Sequence, residues 1–121
     1  VTPYSPLARG FVVGNRRPED FGDTLRARVD DYSKGLYFKP CDFAVVDRVT
    51  EVAKKHGVSN ARVALSWLLH QNGVKSVVIG ATKLEQLDDL IEAVDLKLDG
   101  DEILFMEEPY EPHNVLVGRQ R

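Results

Sequence analysis

Cysteine is nearly missing: Cys41 stands alone in 121 residues, which excludes an intrachain disulfide. A lone thiol fits a reducing, cytoplasmic setting. With Pro40 and Asp42 beside it rather than His or Lys, Cys41 is expected to be an inert loop or packing residue. Long apolar runs are missing too. The longest are a few residues, far short of the roughly 20 that span a bilayer, so no membrane partner is expected. There is no signal-peptide pattern. The net charge of -3 comes without a long basic run, which argues against nucleic acid as a partner. Histidine is sparse, and no two of His56, His70 and His113 have metal-ligand spacing, so no metal site is expected.

The chain also lacks an opening. Val1 runs straight into Thr2-Pro3-Tyr4 with no initiator Met, leader or helix cap. A start inside an apparent strand suggests a truncated, processed or partial polypeptide. Within it, apolar residues at 43% and charged residues at 29% are ordinary globular usage, and the length sets a bound of one small domain, residues 1–121.

Residues 1–4 read as the end of a strand, and Ser5-Pro6 turns the chain out of it, because a residue before proline avoids the helical region. Residues 10–41 form a long loop punctuated by glycine and proline, with a short helix expected near 23–31. Asp42 is expected to cap a helix running to about His56, with Gly57 as its stop. Ser59 caps the next, in which Ala64, Leu65, Trp67 and Leu68 recur at helical spacing before Gly73 ends it. Residues 75–79 are a short β-rich run, read as a buried strand. Thr82 with Glu85 reads as a capping box opening a helix over 83–93, and Asp99 with Glu102 as a second one opening a helix over 100–108. The tail, 109–121, has no periodicity. One full strand and one partial strand do not make a stable sheet. The chain wants more sheet than it owns.

Two segments suit an anion: Tyr4-Ser5-Pro6-Leu7-Ala8-Arg9-Gly10 and Ile79-Gly80-Ala81-Thr82-Lys83. Each leaves the carboxyl end of a strand. The second runs into a helix N-terminus, where backbone N–H groups and the dipole favour negative charge. Gly80 and Ala81 leave room for a phosphate, and Lys83 adds a point charge. In (β/α)₈ barrels, phosphate sites are often built from the loops after the last two strands. The blander reading is that one segment is a cap and the other a turn.

In order along the chain, Tyr4–Gly10 resembles the motif after strand seven of aldo-keto reductases, and Val63-Ala64-Leu65-Ser66-Trp67-Leu68-Leu69 resembles their penultimate helix. Val77-Val78-Ile79-Gly80-Ala81-Thr82 with Glu85-Gln86-Leu87 resembles strand eight and the last barrel helix. Each piece alone is weak; the ordered set is specific. Glu108-Pro109-Tyr110-Glu111-Pro112-His113 is similar to the bacterial branch with long loops after strand seven. The resemblance implies an α/β chain forming the C-terminal half of a (β/α)₈ TIM barrel whose parent reduces small aldehydes and ketones with NADP(H). It implies that Tyr4 stacks on the nicotinamide and that Ser5, Leu7 and Arg9 line the pyrophosphate path. Gly80, Ala81, Thr82 and Lys83 would hold the adenosine ribose and its 2′-phosphate, with Gln86 and Asp89 toward the adenosine end.

Two departures bear on this reading. Leu90 stands where many relatives carry an adenine-contacting Asn, and Gln86 where a cation is frequent. The family's catalytic Asp, Tyr, Lys and His come from the first half of the barrel, so no catalytic residue is assigned here and the chain alone is expected to be inactive. The alternative is a non-catalytic nucleotide-binding or regulatory half-barrel. Either way, an open half-barrel is expected to pair with its missing half or with itself.

Overall fold

The structure is a computed structural model that describes residues 1–17, 19 and 35–113. Among the described residues, four α-helices are complete: α1, Pro40–His56; α2, Asn60–Leu69; α3, Leu84–Ile91; and α4, Gly100–Glu107. A 3₁₀ segment, Ala8–Val13, precedes them, and a second, Glu92–Val94, extends α3. The helix expected at 23–31 and the tail beyond His113 lie outside the described residues.

Local chemistry sets most of the helix ends. Helix α1 starts two residues before the expected cap because Pro40 suits the first helical position. Asp42 therefore sits in the first turn instead, where its Oδ2 accepts the Lys39 N–H at 2.9 Å. Gly57 ends the helix at φ 68°, a left-handed conformation, just after Lys54, Lys55 and His56 meet the negative end of the dipole. Ser59 caps α2 by accepting the Arg62 N–H at 3.0 Å. That helix stops at Leu69, one turn short of Gly73. The box at α4 forms in both directions: Glu102 N–H to Asp99 Oδ1 at 2.8 Å, Asp99 N–H to Glu102 Oε2 at 3.0 Å.

Two expectations fail. Residues 75–79 are not a strand: among the described residues the only β pairing is a single parallel bridge between Tyr4 and Val78. Pro3 has no N–H to give a ladder, and a segment with one short neighbour does not extend into a sheet. The Thr82–Glu85 box is absent as well. Lys83 is the N-cap of α3, without a side-chain capping bond. The Thr82 N–H and hydroxyl both donate to Gln86 Oε1, at 3.1 and 3.2 Å. The amide one position further on thus takes the place expected for the carboxylate.

Three apolar clusters hold the helices. Val49, Val52 and Ala53 of α1 meet Val63 of α2 and Met106 of α4. Full burial of side chains of this size is worth about 1.5–3 kcal/mol each. Leu65 of α2 packs with Leu90 of α3 and with Ala93, and Leu7, Val77 and Ile79 lie against them. Phe11, Phe43 and Val46 form the third, joined by Tyr37 and Phe38. Rings of Phe11, Phe38 and Phe43 meet at centroid distances of 5.2–5.4 Å, which fastens the 3₁₀ segment to α1. Ser66 is fully buried, and its hydroxyl donates to the Leu96 carbonyl at 2.7 Å.

Candidate functional site

Val77 and Ile79 face the helices while Val78 between them is 56% exposed, the alternation of an extended segment with one covered side. Its N–H donates to the Pro3 carbonyl at 3.2 Å, and Lys75 N–H to the Val1 carbonyl at 3.1 Å. Because the pairing is parallel, both segments run in the same direction. The stretches leaving them, Ser5–Gly10 and Ile79–Lys83, therefore emerge at one edge. The two anion-suited segments, far apart in sequence, are neighbours in space.

The first segment is conformationally unusual. Ser5, Ala8 and Arg9 have φ of 55°, 49° and 57°, and Gly10 follows at 88°. Three side-chain-bearing residues in the left-handed region within five positions store strain of order 1 kcal/mol each. Such strain concentrates where a loop must present its backbone to something. Turn bonds hold the shape, Ala8 N–H to Ser5 O and Gly10 N–H to Leu7 O, both 2.9 Å. Buried Arg16 braces it from below, donating to the Arg9 carbonyl at 3.0 Å. Tyr4 is 81% exposed, so its ring offers an open face.

In the second segment Gly80, Ala81, Thr82, Lys83 and Gln86 are all exposed. A Cβ at Gly80 would meet nothing within 4 Å, so that position stays open to a ligand. Asp89 differs. Its Oδ1 accepts Arg62 Nε at 2.9 Å and Nη2 at 2.7 Å, and Ser59 donates to its other oxygen. Arg62 also meets Glu92 at 2.6 Å, so this network ties α2 to α3. Leu90 does not stand at a ligand-facing position either: it is 6% exposed, inside the core against Leu65 and Ala93. An apolar residue there serves packing.

The three histidines are all engaged. His70 Nδ1 lies 2.7 Å from the Ser66 carbonyl of its own helix. His56 Nε2 lies 2.8 Å from Glu102 Oε1, an oxygen that Lys55 also approaches at 2.8 Å. Burial alone would raise the Glu102 carboxyl. Hydrogen bonds from Lys55, the Asp99 backbone and His56 outweigh it and hold the group lowered to about 2. His113, expected in an irregular tail, approaches Asp42 Oδ1 at 2.7 Å, and Cys41 sits alongside. Sequence reading missed this grouping, because 71 residues separate Asp42 from His113.

The structure thus brings together two parallel-bridged extended segments backed by helices, with a glycine-bearing loop leaving each at one edge. The chain belongs to the aldo/keto reductase family, whose match extends over residues 1–111. That family has a (β/α)₈ barrel fold, acts on small carbonyl compounds and generally uses NAD(P)H. A Schizosaccharomyces pombe protein provisionally named an aryl-alcohol dehydrogenase is 40% identical over 110 residues, 91% of this chain and 30% of the relative. Versiconal hemiacetal acetate reductase of Aspergillus parasiticus is 34% identical over 121 residues, 98% of this chain and 34% of its own length. L-glyceraldehyde 3-phosphate reductase of Escherichia coli is 34% identical over 94 residues, 75% of this chain and 27% of the relative. The chain thus spans about a third of the length of the curated relatives it matches. Among the described residues, no helix is long and apolar enough to cross a membrane.

Proposed function

We propose that this chain is the C-terminal half of an NADP(H)-dependent aldo-keto reductase barrel, of the branch with a long loop after strand seven, and that it supplies the cofactor cradle. The observation that carries the reading is the parallel Tyr4–Val78 bridge, which brings the two anion-suited loops to one edge. Tyr4 stacks on the nicotinamide, while Ser5, Leu7 and Arg9 line the pyrophosphate path. Gly80, Ala81, Thr82 and Lys83 take the ribose and its 2′-phosphate. Gln86 and Asp89 lie toward the adenosine end, Gln86 holding Thr82 in place and Asp89 fixing α3 through Arg62.

NADP(H), when bound, supplies the hydride for carbonyl reduction. This chain's residues bind and orient it. The proton donor and its partners belong to the other half of the barrel, so the chain alone turns over no aldehyde.

Titration with NADPH and NADH, followed by Trp67 quenching and nicotinamide emission, tests the cradle. Saturable binding that prefers NADPH supports it. A folded sample that binds neither cofactor sinks the reading as a self-sufficient cradle.

A second reading is favoured by the exposure of Tyr4 and Val78 at the bridged edge, 81% and 56%. On it, the half-barrel is non-catalytic and pairs through that edge with itself or another chain, binding nucleotide as a regulatory piece. Light scattering separates the outcomes: a stable monodisperse monomer that still binds NADPH removes the need for pairing.

A further inference from the structure

We propose that Cys41, Asp42 and His113 form a zinc-binding site that clamps the segment after α4 onto the first turn of α1. The three offer a thiol sulfur, a carboxylate oxygen and an imidazole nitrogen, all within 4.8 Å of one another. Oδ1 of Asp42 lies 2.7 Å from His113 Nε2 and 3.9 Å from Cys41 Sγ. Zinc bonds of about 2.0 Å to N and O and about 2.3 Å to S, set tetrahedrally, require edges of roughly 3.3–3.6 Å between those atoms. The present separations straddle that range. Closing around an ion asks for side-chain adjustments of well under the width of an atom.

The carboxylate is already oriented for the task. Its second oxygen holds the Lys39 N–H at 2.9 Å, the kind of outer contact that fixes a metal-ligating carboxylate. Pro40 and Pro112 each directly precede a ligand, and each has its own φ fixed by its ring. The Asp42 and His113 side chains are 11% and 27% exposed, so the site is sheltered yet reachable. A thiolate and a carboxylate together neutralise a divalent cation, which suits a partly buried position. The mixed soft and hard donor set favours zinc over calcium or magnesium, which take oxygen ligands. With three protein ligands, one position is left for water.

Binding conserves charge and atoms simply. The Cys41 thiol loses its proton to solvent, and a neutral His113 keeps its single ring proton on Nδ1 while Nε2 takes the metal. No redox partner is involved. The ligands lie on α1 and the segment after α4, so the clamp is independent of the cofactor loops.

The test uses the full chain stripped of metal and titrated with Co²⁺ as a spectroscopic stand-in, then with Zn²⁺ against a chromophoric chelator. One ion per chain, with a thiolate-to-cobalt charge-transfer band in the near ultraviolet, is expected. Cys41→Ser should abolish the band, and His113→Ala should weaken zinc by at least about tenfold, the scale seen for disturbed metal shells. His70→Ala, on the surface of α2, should change neither. Absence of the band in the parent chain, its survival in Cys41→Ser, or equal zinc affinities for His113→Ala and His70→Ala would each overturn the site. Circular dichroism of every variant separates loss of metal from loss of fold, and Cys41→Ser alters one atom without touching the α1 capping contact.

Discussion

Replacing Glu102 by Gln should remove a pH-dependent share of the stability. Glu102 is 6% exposed, in the first turn of α4, and its carboxylate takes Lys55, His56 and the Asp99 N–H. Its carboxyl lies at about 2 in the fold against an ordinary 4.5. A lowered pKa means the folded form prefers the charged group. The stabilisation is therefore complete above pH 4.5 and is lost as the pH falls toward 2. At 1.36 kcal/mol per pH unit, the full difference is about 3 kcal/mol. Lys55 is 65% exposed, so solvent screens its part, and a realised value of roughly 1–2 kcal/mol follows. Urea unfolding read through Trp67, the single tryptophan, measures this at pH 7, 5 and 3. The gap between parent and Glu102→Gln should be full at pH 7 and 5 and clearly narrowed at pH 3. Equal stabilities at pH 7, or curves that decline in parallel to pH 3, would refute the argument.

Two further predictions rest on single contacts. Lys83→Ala should weaken NADPH several-fold more than NADH, because only the former carries a 2′-phosphate; equal losses in the same fluorescence titration would remove Lys83 from that role. Gly14→Ala should destabilise by about 1–3 kcal/mol in thermal unfolding, since its φ is +89° and a Cβ would come within 2.9 Å of Asn60 Nδ2. Unchanged melting would mean that this turn relaxes freely.

The sequence determined what depends on residues three or four positions apart. Ser59 capping Arg62, Asp99 paired with Glu102, and Gly57 stopping α1 are short-range devices, so their residue types announce them. The ordered motifs led to the family for the same reason, because they are local strings. Where two local options competed, sequence reading chose wrongly: Pro40 rather than Asp42 opened α1, and Gln86 rather than Glu85 met Thr82. The tertiary structure alone decided everything that needs a distant partner. An apolar run such as Val77–Ile79 becomes a strand only if another chain segment accepts its hydrogen bonds, and here one bridge to Tyr4 is formed. Leu90 is buried against Leu65 of α2, and Asp89, expected toward the adenosine end, is held by Arg62. Asp42 and His113 met across 71 residues, a contact that no spacing rule encodes. Hydrogen bonds within a turn are fixed by the turn's own geometry, whereas sheet pairing and side-chain clusters exist only after the chain has closed on itself.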